Sequence, residues 1–143
     1  MFNEKVGELL KVLKECLEML GEFQGIDIRS YRNDRRVQDI VEREFERAIM
    51  ACIDIGARLI SLYNFPTASS YAEVFEVLNR EGVLPRDISD AMADLARFRN
   101  VLVHEYFRID PEIVHSKLQN LDIFRRFARA IVKFMEERCP SES

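Results

Sequence analysis

From Val37 to Tyr63 the chain carries one unbroken apolar stripe. Val37, Ile40, Val41, Phe45, Ala48, Ile49, Cys52, Ile53, Leu59, Ile60 and Tyr63 recur at helical spacing, with charged residues between them. Ser30, Asn33 and Asp34 stand ahead of it, each able to cap a helix. The spacing predicts one helix from about Ser30 or Asn33 to Tyr63 or Asn64. At ~1.5 Å per residue such a helix spans roughly 45 Å, long enough to act as the spine of a small bundle. From Ile49 to Leu62 its surface is apolar nearly all round. A further helix or a second subunit is expected to cover it. Asp54 interrupts this stretch and reads either as an acid paired with an arginine or as part of a site.

The flanking segments read as helices too. Phe2 to Gly21 carries the stripe Val6, Leu9, Leu10, Leu13, Cys16, Leu17, Leu20. Gly25 to Arg29 reads as a connector. The segment from Phe65 to Ser69, with Pro66, stops the long helix. Ser70-Tyr71-Ala72-Glu73 has the pattern of a capping box opening a short helix, Tyr71 to Arg80, and Gly82 ends it. A fourth helix is expected to start at Pro85-Asp87, with Asp87 as cap, and to reach about Tyr106. Asp110-Pro111 opens the last, whose stripe runs from Ile113 through Val114, Leu118, Leu121, Phe124, Phe127 and Ile131 to Met135. The tail from Cys139 to Ser143 is expected to fray. The chain therefore reads as one all-α domain over residues 1–143, an antiparallel bundle of four main helices plus one short helix.

Composition narrows the function. Hydrophobic residues make up 48% of the chain, enough for a core, but no apolar run is long enough to span a membrane. The N-terminus carries charges and no signal-peptide core, so a cytoplasmic protein is expected. The three cysteines, Cys16, Cys52 and Cys139, match no zinc spacing and read as structural thiols. A net charge of -4 gives no overall pull on nucleic acid, so phosphate binding must be local.

One stretch concentrates polar chemistry in an apolar frame. Arg99-Asn100-Val101-Leu102-Val103-His104-Glu105-Tyr106 sets an arginine, an amide, an imidazole and a phenol among Val and Leu. At about 100° per residue, Asn100 and His104 stack on one helical face, and Arg99 and Tyr106 share a neighbouring one. Arginine offers a planar fork to phosphate oxygens, and histidine can move a proton near neutrality. Asn100 can orient the imidazole or hold a substrate oxygen. One histidine among scattered acids makes no metal site and calls for no cofactor. The chemistry is coherent for metal-free RNA cleavage by the 2′-hydroxyl, which DNA lacks. The same residues also suit a plain helix end, with Arg99 in a surface ion pair, His104 buried and Tyr106 in the core. His115 has no such company and reads as a surface histidine.

The stretch from Arg99 to Tyr106 resembles the Arg-x(4-6)-His motif of HEPN domains, and with its tyrosine the Arg-x4-His-x-Tyr form of the HepT toxins. Phe45 to Leu62 resembles that family's long helix, and Pro66 to Gly82 its Pro-x-x-Ser-Tyr-like segment. The resemblance implies a metal-independent ribonuclease toxin, a homodimer whose active site lies at the dimer interface. Arg99, Asn100 and His104 are then the catalytic residues. It also implies a partner, a small MntA-like nucleotidyltransferase antitoxin that silences the toxin by moving AMP from ATP to Tyr106. The alternative is a non-cleaving helical dimer that binds or regulates a nucleotidyltransferase.

Overall fold

The computed structural model describes residues 3–138. It contains seven α-helices among them: α1 Glu4–Gly21, α2 Ile28–Arg32, α3 Arg35–Leu62, α4 Tyr71–Arg80, α5 Arg86–His104, α6 Pro111–Leu118 and α7 Asp122–Glu137. The fold is the all-α bundle expected, with no strand among the described residues. Four helices are long, α1, α3, α5 and α7, and three are short rather than one. Phe2 and the tail from Cys139 to Ser143 lie outside the described residues.

The spine is α3, 28 residues long, about 42 Å at ~1.5 Å per residue. Asp34 caps it by accepting from the Val37 N–H at 3.1 Å, so of the three candidate caps the last one opens it. Its far end turns at Asn64, where φ is +57°. Helices α1, α4 and α5 all pack on α3. They bury Ile49, Ile53, Ile55 and Leu59 within the chain itself, so the apolar surface there is covered by further helices and needs no second subunit. Phe45, Phe75, Phe124 and Phe127 are fully buried and join α3, α4 and α7 in one core. The rings of Phe75 and Phe127 meet edge-to-face at 5.7 Å.

At Gly56 side chains of α4 pack directly on the α3 backbone. A Cβ there would lie 2.5 Å from Val74 Cγ1, so any larger residue forces Val74 to shift. Cys16 and Cys52 are buried free thiols, as their apolar spacing implies. Burial pushes the Cys16 thiol up to about 11 and the Cys52 thiol well above its ordinary value.

Several expected boundaries move, each for a local reason. The connector after Gly25 contains α2, a single turn capped by Asp27, which accepts from the Ser30 N–H at 2.9 Å. The last helix is broken into α6 and α7. The Gln24 side chain donates to the Leu118 carbonyl at 2.8 Å, and Gln119 returns a bond to the Gln24 carbonyl at 3.0 Å. The first engages the Leu118 carbonyl at the end of α6, while Leu118, Leu121 and Phe124 stay buried across the break. Asp110 does cap α6, accepting from the Glu112 N–H. Asp87 is not a cap: Pro85 holds that position, and Asp87 instead accepts from Arg126 at 2.6 Å, tying α5 to α7. The capping box is shifted by one residue. Ser70 accepts from the Glu73 N–H, but Glu73 answers to the N–H and hydroxyl of Ser69. His115 is half-buried, not a free surface residue: its Nε2 lies 2.7 Å from the Ile26 carbonyl, and its ring packs near Tyr31.

Candidate active site

Helix α5 carries the motif and ends inside it. Arg99 sits half-buried in the penultimate turn, while Asn100 and His104 are exposed, one turn apart on the same side. His104 is the last residue of α5. Glu105 leaves helical geometry at φ -131°, ψ 44°, although its N–H still closes on the Val101 carbonyl. Tyr106, Phe107 and Arg108 then form one 3-10 turn. The turn is held by the Arg108 N–H on the Glu105 carbonyl at 2.7 Å and by an Arg108–Glu105 ion pair at 2.9 Å.

This placement revises the expected geometry. A continuous helix would put Arg99 and Tyr106 on one face. Instead the chain must turn before Ile109, which packs on the core, and Asp110, which caps α6. Tyr106 therefore projects from a turn, 76% exposed, and the neighbouring Phe107 is 74% exposed. Their rings meet edge-on at 6.0 Å. Neither His104 nor Tyr106 is a core residue, which removes the plain structural reading for both.

Arg99 is the best-held member of the set. Its Cζ lies 5.5 Å from the centre of the Tyr71 ring, a cation–π stack between α5 and the start of α4. Its Nε is buried without a partner among the described residues. It is not the surface ion-pair residue that the bland reading of the motif requires. Arg97, two residues earlier, fills that role with Asp94 and Glu76.

Asp54 of α3 completes the neighbourhood. Asp54 is exposed on α3; partial desolvation pushes its carboxyl up, and the positive charges of Lys5 and Arg99 pull it back down. Asp54, Ser69, Ser70 and Tyr71 line a groove of about 370 Å³ between α3 and α4. Tyr71 was not singled out by spacing, because it lies far from the motif in sequence and meets Arg99 only through the packing of α4 on α5. The one available signal was its place beside the Ser69-Ser70 cap. Among the described residues no group of three or more His, Cys, Asp or Glu side chains is placed to hold a metal ion.

Comparison with known proteins identifies the family. A family model described as Ribonuclease HepT-like matches residues 13–131. The mRNA nuclease HepT of Shewanella oneidensis is 25% identical over 130 residues, 90% of this chain and 97% of that protein. The tRNA nuclease HepT of Aphanizomenon flos-aquae is 30% identical over 132 residues, 90% of each chain. A solved structure of the tri-AMPylated Shewanella oneidensis HEPN toxin in complex with MNT antitoxin superposes with a TM-score of 0.86. That match covers 92% of this chain and 99% of that one at 24% identity, a likeness of fold. With the matched model spanning most of the bundle and the motif at the end of α5, the chain belongs to the Ribonuclease HepT-like family.

Proposed function

We propose that this protein is a metal-independent endoribonuclease that cleaves RNA at Arg99 and His104. The observation that carries the reading is the motif itself: Arg99 braced on Tyr71 while Asn100 and His104 face solvent at the end of α5. A braced, planar cation beside an open imidazole suits a phosphodiester. The 2′-oxygen attacks its own phosphorus as its proton leaves, the 5′-oxygen departs with a proton, and a 2′,3′-cyclic phosphate remains. His104 exchanges these protons, Asn100 holds the imidazole or a substrate oxygen, and Arg99 stabilises the charge growing on the phosphoryl oxygens. No metal has a step to perform, and DNA, without the 2′-hydroxyl, is not a substrate.

A single chain offers one histidine at this site. Proton removal and proton donation occur on opposite sides of the phosphorus. A homodimer that faces two α5 ends across a two-fold axis supplies two, so the working site is composite. Light scattering at micromolar concentration should return about twice the 16.8 kDa chain mass.

Control falls on Tyr106. Its exposed hydroxyl is the acceptor for AMP from ATP, delivered by a nucleotidyltransferase antitoxin. Family membership and the exposure of Tyr106 support this. The adduct adds charge and a base-sized group beside the phosphate site, excluding RNA without refolding. The deciding experiment is incubation of the purified protein with tRNA and mRNA in EDTA, beside His104→Ala. Cleavage by the native chain and loss in the variant are expected. No cleavage by either leaves the protein as a binding partner of the nucleotidyltransferase.

A further inference from the structure

The groove between α3 and α4 is not used by the cleavage chemistry. Its lining is largely apolar, with Ile53, Ala57 and Ile60 from α3 and Tyr71 and Val74 from α4. Its volume of about 370 Å³ falls within the usual range for small-ligand pockets, roughly 300–1,000 Å³. Two of its polar groups are already committed. The Ser69 hydroxyl donates to Glu73 at 2.8 Å, and the Ser70 oxygen accepts from the Glu73 N–H at 3.1 Å, both in capping α4. Asp54 lines the same groove from α3, where it is exposed to solvent. Arg99 stacks on Tyr71, which also lines the groove, so the groove and the proposed phosphate grip share a wall.

Among the bases of RNA, a largely apolar groove lined by one carboxylate is matched best to a single one. A carboxylate has two acceptor oxygens side by side and, when ionised, no donor. Among the four RNA bases, only guanine offers two adjacent donors, N1–H and the 2-amino group. Adenine and cytosine each pair one amino donor with a ring-nitrogen acceptor, which would meet the carboxylate in repulsion. Uracil sets its N–H between two carbonyls. Single-stranded RNA is commonly read this way, by stacking a splayed base and pairing its edge.

We propose that the α3–α4 groove is a guanine subsite, in which the Asp54 carboxylate accepts N1–H and the 2-amino group of the base adjoining the phosphate held by Arg99. The inference rests on the ribonuclease reading and adds a sequence preference to it. Tyr71 then has two tasks, bracing Arg99 and walling the base.

The test uses the full chain and short RNA oligonucleotides methylated at every 2′-oxygen, so that binding is read without cleavage. One central position is guanine, inosine, adenine, cytosine or uracil. Fluorescence anisotropy should show the guanine oligonucleotide binding about tenfold or more tighter than the adenine, cytosine and uracil ones, with inosine in between, as expected for hydrogen bonds to a charged acceptor. Asp54→Asn should erase the preference for guanine over uracil while leaving helix content unchanged. Unmethylated versions in EDTA supply the second readout. Cleavage without any guanine preference, or a preference that survives Asp54→Asn, overturns the subsite and leaves the nuclease standing. An equal loss of affinity for all five oligonucleotides makes Asp54 a support for Arg99 and also overturns it. An Asp54-dependent preference without cleavage keeps the subsite and sinks the nuclease.

Discussion

The guanidinium of Arg99 lies over the ring of Tyr71, 5.5 Å from the ring centre, and so the arginine of one helix is aimed by the first residue of another. Tyr71→Phe should keep the stack and full cleavage. Tyr71→Ala should lower kcat/KM by about two- to fivefold, the worth of an exposed cation–π contact. Arg99→Lys keeps the charge but loses the planar fork and its stacking, and should cost ~10²-fold. Equal activity of Tyr71→Ala and the native chain would show that the stack aims nothing.

His104 ends α5 and is exposed, so replacing it should leave the fold alone. His104→Ala is expected to lose cleavage by ~10²-fold or more while its Tm stays within a degree or two of native. Calorimetry alongside the cleavage assay checks this. A large fall in Tm would mean that the imidazole supports the helix end.

Tyr106→Phe keeps a ring in the exposed 3-10 turn and removes the oxygen. The variant should cleave RNA as the native chain does and resist silencing by a cognate nucleotidyltransferase. Intact mass after co-expression should gain one or more AMP units in the native chain and none in the variant. An adduct mapped to Tyr31, Tyr63 or Tyr71 would count against this control, and Tyr31 is fully buried.

Gly56→Ala tests the close contact of α3 with α4. A helix gains up to ~1 kcal/mol from the exchange, but the new Cβ meets the stiff, buried Val74 at 2.5 Å, and overpacking costs ~1–3 kcal/mol. A net loss of about 1–2 kcal/mol, seen as a Tm several degrees lower, is expected. A rise in Tm would show that Val74 turns aside freely.

The buried thiols should be inert. Thiolate is the reactive form, and burial raises Cys16 to about 11 and Cys52 well above its ordinary value. With Cys139 replaced by serine, Ellman's reagent at pH 8 should find no fast thiol until denaturant is added. A fast native reaction would mean that α1 and α3 open locally.

Residues that act through periodicity were legible in the sequence. The stripes of α1 and α3, the Asp110 cap and the short α4 follow from local chemistry, whereas the choice of Asp34 among three candidate caps does not. The breaks did not, because tertiary bonds make them: Gln24 with Leu118 and Gln119 divides α6 from α7 where the apolar pattern runs on. The motif from Arg99 to Tyr106 was visible as an unusual cluster, yet its geometry was not, since helical arithmetic fails once the helix stops at His104. Asp54 stood out as a lone acid, but the groove it shares with Tyr71 arises only when α3 and α4 are brought together.

The stop at His104 has a bearing on how one enzyme could act on another. A tyrosine seated in a helix offers its oxygen along one bearing, with neighbours a turn away on either side crowding any visitor. On a single 3-10 turn, Tyr106 stands clear, like a handle on a lid. A transferase could close around the whole side chain without unwinding anything, and the bundle behind it would not register the visit.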